Sequence, residues 1–267
     1  MRTWTPSEAR FTELFLYISR RCATSPKFGS VKLNKLLYYC DFLSFALLGK
    51  PITGFTYRKL EKGPAPAGIV EIRNHLLRSG QLKIREVLLP NRHRQLRPVA
   101  LREADLRVFT KAEIEVVDRV IDILVDTNAS RISDLSHLEI GWMAARLNET
   151  IPYGTVFLSN AALSAEETER IRTFAREHGY ASGYLRDIVE EPLFAEQLEK
   201  LGVSFARRDE IMEAVSFSLA RAPELFPRIE GTCLSALTVK FYDNMPSVRF
   251  LFTYNEDRVR LVAIDFG

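Results

Sequence analysis

The stretch from Val31 to Pro66, VKLNKLLYYCDFLSFALLGKPITGFTYRKLEKGPAP, constrains the fold more than any other part of the chain. Leu33, Leu36, Leu37, Cys40, Leu43 and Leu47 recur at three- and four-residue steps, the period of one helix face. Phe42, Phe45 and Ala46 widen that stripe, so the helix is expected to be buried on more than one side. Ser30 is placed to cap its start and Gly49 to end it. The loop Lys50-Pro51-Ile52-Thr53-Gly54 leads into a predicted strand, Phe55 to Lys59, and Gly63-Pro64-Ala65-Pro66 then breaks the chain. This pattern describes a core helix followed by a hairpin, and it carries no step of known chemistry.

Within that stretch, Lys32-Leu33-Asn34-Lys35-Leu36-Leu37-Tyr38-Tyr39, then Gly49-Lys50-Pro51-Ile52, then Tyr57 and Gly63-Pro64 closely resemble the Panacea domain, also called SocA-like or phage-associated GepA-like. Ser136-His137, Trp142 and Ile151-Pro152-Tyr153 extend the resemblance, which covers residues 8–160. It implies a mostly helical antitoxin domain that binds a toxin protein directly and blocks it, with different members pairing with quite different toxins. It implies no reaction.

The rest of the chain places this block in a larger protein. A helix opens at Thr5-Pro6, with proline at the first helical position, and a third helix runs from Ala67 to Ser79. Leu82–Leu89 and His93–Ala100 read as a hairpin turning at Pro90-Asn91. Thr110-Lys111-Ala112-Glu113 and Ser164-Ala165-Glu166-Glu167 are capping boxes. The helix that the second box starts is highly charged and has few apolar positions, so it reads as a surface or connecting helix. Gly179 to Gly183 is the best linker. The expected organisation is therefore a mainly α N-terminal domain with short β-hairpins, residues 1–182, and an α+β C-terminal unit, residues 183–267. That unit is expected to hold helices and a three-stranded antiparallel meander: Leu234–Tyr242, Val248–Tyr254 and Arg258–Phe266.

Composition narrows the function classes. A net charge of +3 on 267 residues argues neither for nor against nucleic acid. Cys22, Cys40 and Cys233 are odd in number, far apart and without a C-x-x-C, so they suggest neither a disulfide framework nor a zinc site, and reduced thiols in a cytoplasm fit best. The first residues lack the apolar core of a signal peptide, and no apolar run reaches membrane-spanning length, so no membrane partner is expected. No histidine pair has metal spacing and no phosphate-binding glycine motif occurs, so neither metal nor cofactor is expected. His75 reads as a core histidine and His178 as a helix-end residue. His93 lies in the hairpin. Ser136-His137, adjacent in sequence, is no catalytic dyad.

Two further surfaces call for alternatives. The hairpin region carries Lys83, Arg85, Arg92, His93, Arg94, Arg97, Arg102 and Arg107. That is either a basic edge for nucleic acid or a solvated hairpin blunted by charge, and the lack of interleaved aromatics favours the second. The end of the chain, residues 205–267, is similar to the RelE/ParE toxin superfamily in its order of helix, Pro-Glu-Leu-Phe-Pro and three strands. RelE-like members cut messenger RNA with Lys, Arg and Tyr side chains, and by position the candidates are Arg228, Lys240, Arg249, Tyr254, Arg258 and Arg260. Against a working nuclease, Arg207 to Gly267 holds eight basic and nine acidic residues.

The sequence thus points to an interaction protein. It is read as an antitoxin that neutralises a toxin protein encoded elsewhere or fused in cis, with no catalytic residues of its own. The alternatives are a RelE-like mRNA endonuclease restrained in cis and a nucleic-acid-binding regulator using the 83–107 hairpin. Exposed groups around the central helix and hairpin, namely Lys35, Tyr39, Tyr57, Arg58 and Lys59, are the expected partner contacts.

Overall fold

Helix α2 (Ser30–Leu48) lies at the centre of the first of two units in the computed structural model, which describes residues 5–89, 92, 94–179, 191–241, 247–255 and 258–267. The first unit comprises residues 1–138 with 145–153 and the second residues 139–144 with 154–267. The boundary expected at 182/183 lies inside the second unit. Most of the Gly179–Gly183 linker falls outside the described residues.

In the first unit α2 is buried on several sides, as its broad apolar stripe requires. It packs on α1 (Pro6–Arg21), α4 (Lys111–Leu124) and α5 (Ala129–His137), and on strands β2 (Ala65–Pro66) and β4 (Arg94–Ala100). The buried set departs from the predicted stripe in one respect. Leu43 is half-buried and Leu47 exposed, whereas the polar residues Lys32, Lys35, Asp41 and Ser44 are buried. The N-cap is Gly29, not Ser30; the Ser30 hydroxyl instead donates to the Leu96 carbonyl at 3.0 Å. Gly49 ends the helix in the left-handed conformation, φ 75°, where a side chain would be strained. Threonine-led capping boxes start α1 at Thr5 and α4 at Thr110.

The predicted strand from Phe55 to Lys59 shrinks to β1 (Tyr57–Arg58), paired antiparallel with β2. Proline has no N–H to donate to a ladder, so Pro64 and Pro66 keep this pair short. A second segment runs along its other side: Asn148 N–H donates to Lys59 O at 2.8 Å and Ile151 N–H to Tyr57 O at 2.9 Å. Helix α3 (Ile69–Arg78) follows, and then the hairpin of β3 (Leu82–Leu88) and β4, in a register from Leu82 opposite Ala100 to Leu88 opposite Arg94.

The second unit is a four-stranded antiparallel sheet with helices. It contains α6 (Ile140–Ala144), β5 (Leu158–Ser159), α7 (Ala165–Glu177), α8 (Pro192–Glu199), α9 (Phe205–Leu219), β6 (Ser235–Val239), β7 (Val248–Tyr254) and β8 (Val259–Asp265), with strand order β5-β6-β7-β8. The meander was legible in the sequence; the two-residue β5 was not, because it is too short to show a period. Helix α7 is no mere surface connector. Its Ile171 and Ala175 are buried in one cluster with Leu234, Ala236, Leu251, Val262 and Ala263 of the sheet. Phe194 of α8 meets Phe250 edge-to-face at 5.1 Å, and Phe250 and Leu251, as neighbours on a strand, point to opposite faces. The sheet is thus covered on both sides. Cys22, Cys40 and Cys233 are buried free thiols.

Candidate functional site

Asp41 explains why the motif residues of the first unit occur together. Its carboxyl is fully buried in α2 and accepts from Thr53 N–H at 2.7 Å, from the Thr53 hydroxyl and from the Tyr57 hydroxyl at 2.8 Å. The Tyr57 hydroxyl also lies 2.9 Å from Leu37 O, and the Tyr153 hydroxyl donates to Phe55 O at 2.5 Å with Asp41 3.5 Å away. Around this knot Phe42 packs on Tyr153 at 4.7 Å and on Tyr38 at 4.1 Å. Burial outweighs the donated hydrogen bonds and pushes the Asp41 carboxyl up to about 6. These residues hold the loop after α2 in place.

Lys35, two turns earlier, is different. Its side chain is 1% exposed, and its ammonium makes one hydrogen bond among the described residues, to the Pro64 carbonyl at 3.0 Å. The head group occupies space that only a glycine at 63 leaves open. A Cβ built on Gly63 would lie 2.1 Å from Lys35 Nζ and 2.5 Å from Ser136 Oγ, and Gly63 has φ +91°. Burial without a carboxylate lowers the Lys35 amine to about 7. His137 is lowered as well, by burial first and then by Lys35, with Lys59 adding and Asp134 opposing.

Lys35 also lines a pocket of about 400 Å³ walled by Val31, Asn34, Leu60, Gly63, Leu147 and Asn148. A neighbouring hollow of about 340 Å³ shares Asn34, Leu60, Ala65 and Asn148 with it and adds Arg58, Val70 and Arg73, so the two form one groove. Its rim is apolar and open: Leu147 is 57% exposed, Leu60 39% and Val31 37%. Asn148, at φ 67°, is one of two non-glycine residues with positive φ among those described. Asparagine tolerates that region better than most residues.

The structure separates the expected partner contacts. Lys35 and Tyr57 are buried, not exposed: each head group sits among backbone carbonyls or a carboxylate because it closes a gap between α2 and the following loop. Tyr39 and Lys59 are half-buried and Arg58 is exposed. Asp41, Asn34, Leu60, Leu147 and Asn148 were missed. A carboxylate in the middle of an apolar helix face was the available signal for Asp41; Leu147 and Asn148 lie too far along the chain to be linked to α2 by any period.

Of the residues considered for RNA cleavage, Tyr254 and Arg258 share one hollow of about 820 Å³, with Arg221 and Leu219. The others are elsewhere. Arg249 pairs with Glu167 and Arg260 with Glu191 at 3.0 Å, while Arg228 and Lys240 are exposed. Arg249 and Tyr254 are five residues apart on β7, about 17 Å along a strand. The basic hairpin region is neutralised in part: Arg94 pairs with Glu86, and beyond the hairpin Arg102 pairs with Glu13 and Arg107 with Asp105, while Arg97 bonds Gln95 and the Pro26 carbonyl. Lys83, Arg85 and Arg92 have no such ion pair among the described residues, and His93 lies outside them. His75 is half-buried in α3, and His178 caps α7 through Phe174 O at 2.9 Å. No cluster of His, Cys, Asp or Glu suited to a metal occurs among the described residues, and no helix among them is long and apolar enough to cross a membrane.

Residues 33–143 match the family model described as Antitoxin SocA-like, Panacea domain. The match spans less than half of the chain and includes most of α2, Gly63-Pro64 and Ser136-His137; of the Lys35 pocket it takes in the residues from Asn34 to Ala65 but not Val31, Leu147 or Asn148. Comparison with curated proteins and with solved structures finds no match. An antitoxin-like domain thus accounts for this segment, and the resemblance of residues 205–267 to the RelE/ParE superfamily has no counterpart in these comparisons.

Proposed function

We propose that this chain is an antitoxin that neutralises a toxin protein by direct binding, without catalysis. The observation that carries the reading is the groove beside α2: Asn34, Lys35, Leu60 and Gly63 of its lining belong to the antitoxin-like segment, Val31 and Leu147 flank that segment in the sequence, the rim is apolar and exposed, and the buried Lys35 is part of the wall. Exposed apolar rims around a polar anchor are a feature of protein-docking surfaces. The second unit enters as a folded support or further contact surface rather than as a nuclease, since two of the arginines such a reaction would need are held in ion pairs.

The test is co-expression of the full chain with each gene adjacent to its own. One neighbouring product should arrest growth when induced alone, the full chain should relieve that arrest, and the two proteins should co-elute. If no neighbouring product is both toxic and relieved, the reading fails.

A further inference from the structure

The Lys35 ammonium has three N–H groups and one acceptor, and Lys35 is one of the residues that line the pocket. Leaving a charged donor buried and under-satisfied is costly in an isolated domain. The cost is relieved when an anion enters. Inspection of the walls gives the chemistry of that anion. Val31, Leu60 and Leu147 form an apolar rim, and Asn34 and Asn148 add polar groups. The charges about the groove are more often positive than negative: Arg58, Lys59, Lys62 and Arg73, against Glu61, Glu71 and Asp134. Arg58, Lys62 and Arg73 form no ion pair among the described residues.

We propose that this pocket is the anchor site for a carboxylate of the partner protein: a glutamate or aspartate side chain, flanked by an apolar residue, enters between Leu60 and Leu147 and meets Lys35 Nζ. The carboxylate takes the N–H groups that Pro64 leaves unused, and the flanking apolar residue covers the rim. A free inorganic anion would satisfy the ammonium but leave the rim exposed, so the occupant is a protein segment. This deepens the antitoxin reading and rests on it for the identity of the partner.

Two measurements test it and separate its failure from that of the antitoxin reading. In the first, the full chain, labelled at lysine, is titrated with a capped Leu-Glu-Leu peptide and with its Leu-Gln-Leu counterpart, and the Lys35 side-chain NMR signals are followed. The glutamate peptide should shift those signals saturably and raise the titration midpoint of Lys35, where Lys59, Lys62, His137, Glu61 and Asp134 are the other titrating groups about the pocket. The glutamine peptide should bind about tenfold or more weakly, because a charge-assisted hydrogen bond is lost. Equal shifts, or none, overturn the proposal.

The second is the growth-relief assay with Lys35→Met and Leu147→Ala. Met keeps the packing volume of the lysine stem, and Leu147 is exposed, so both chains are expected to melt as the wild type does or higher. Lys35→Met should relieve at least tenfold less and Leu147→Ala severalfold less. If the wild type relieves and Lys35→Met relieves equally, the anchor is wrong and the antitoxin reading stands. If the wild type relieves nothing, the antitoxin reading falls, and the peptide titration alone decides the pocket.

Discussion

Lys35 Nζ and Gly63 Cα occupy the two sides of one gap: the ammonium reaches the Pro64 carbonyl only because residue 63 carries no side chain. Two motifs thirty residues apart in the sequence are therefore one structural unit. Gly63→Ala forces a choice between a strained backbone at φ +91° and a displaced ammonium. We expect a loss of about 1–3 kcal/mol, read from the denaturant midpoint. The loss should be smaller in a Lys35→Met background, whose terminal methyl has no carbonyl to reach, and a double-mutant cycle should give a coupling of about 0.5 kcal/mol or more. Additive losses would show that the two residues are not in contact.

The buried amine makes a prediction about pH. Its ordinary value is 10.5, and burial lowers it to about 7 in the folded chain. Between those values the unfolded chain holds a proton that the folded chain has released, so this group makes stability rise with pH from 7 to 10.5. Below pH 7 both states are charged and the full cost of burial is felt. Lys35→Met should therefore stabilise the chain most at about pH 6, and the difference should shrink by about pH 9. A difference that grows with pH contradicts the assignment.

Asp41 gives the opposite slope at lower pH. Its carboxyl is raised from 3.8 to about 6, mainly by burial, so the folded chain keeps a proton that the unfolded chain loses between those values. Stability from this group is present below 3.8 and declines as pH rises through 6. Asp41→Asn should flatten that decline, because its carbonyl can accept from Thr53 N–H and its amide can donate to the Tyr57 hydroxyl. Asp41→Ala leaves the Thr53 N–H without its partner and the Tyr57 hydroxyl with Leu37 O alone, and should cost about 2–4 kcal/mol below about pH 4 and less above about pH 6.

Tyr57 separates packing from partner contact. It is 1% exposed, so Tyr57→Ala opens a cavity among Tyr38, Phe42 and Tyr153 and should cost about 3–5 kcal/mol of stability. Tyr57→Phe removes only the hydroxyl that Asp41 and Leu37 receive and should cost about 1–2 kcal/mol. Thermal melts of the two variants check the ratio. Neither substitution touches the groove, so toxin relief should follow the fraction of folded chain.

What could be read in the sequence divides along physical lines. Helices with capping boxes and strong periods, such as those from Thr5 and Thr110, were legible because their signals are local. The β6–β7–β8 meander was legible from alternation and turns. Lys35, Tyr57 and Tyr153 were legible as motif members but not as buried partners. Burial of a lysine depends on a gap at Gly63 that no local rule announces, and Asp41 meets Tyr153 only after the chain has passed through α4 and α5. The groove itself joins Val31, Leu60 and Leu147, three positions with no common period.

Charge at the rim and charge at the floor should act on different steps of binding. Arg58 is exposed and Lys62 lies on the loop above Lys35, so both attract an acidic partner from solvent without being desolvated by it. Arg58→Ala and Lys62→Ala should slow association at low salt and lose their effect above about 0.5 M salt, where the Debye length falls to a few ångström. Each should change the equilibrium constant by less than about 1 kcal/mol. Lys35→Met removes an ammonium that the partner must meet in a dry pocket, so its effect should fall on dissociation and persist at high salt. Association and dissociation rates of the isolated toxin, measured across a salt series, distinguish the two. If Lys35→Met behaved as the rim variants do, the ammonium would be acting at long range through solvent and the pocket would not be closed over a carboxylate.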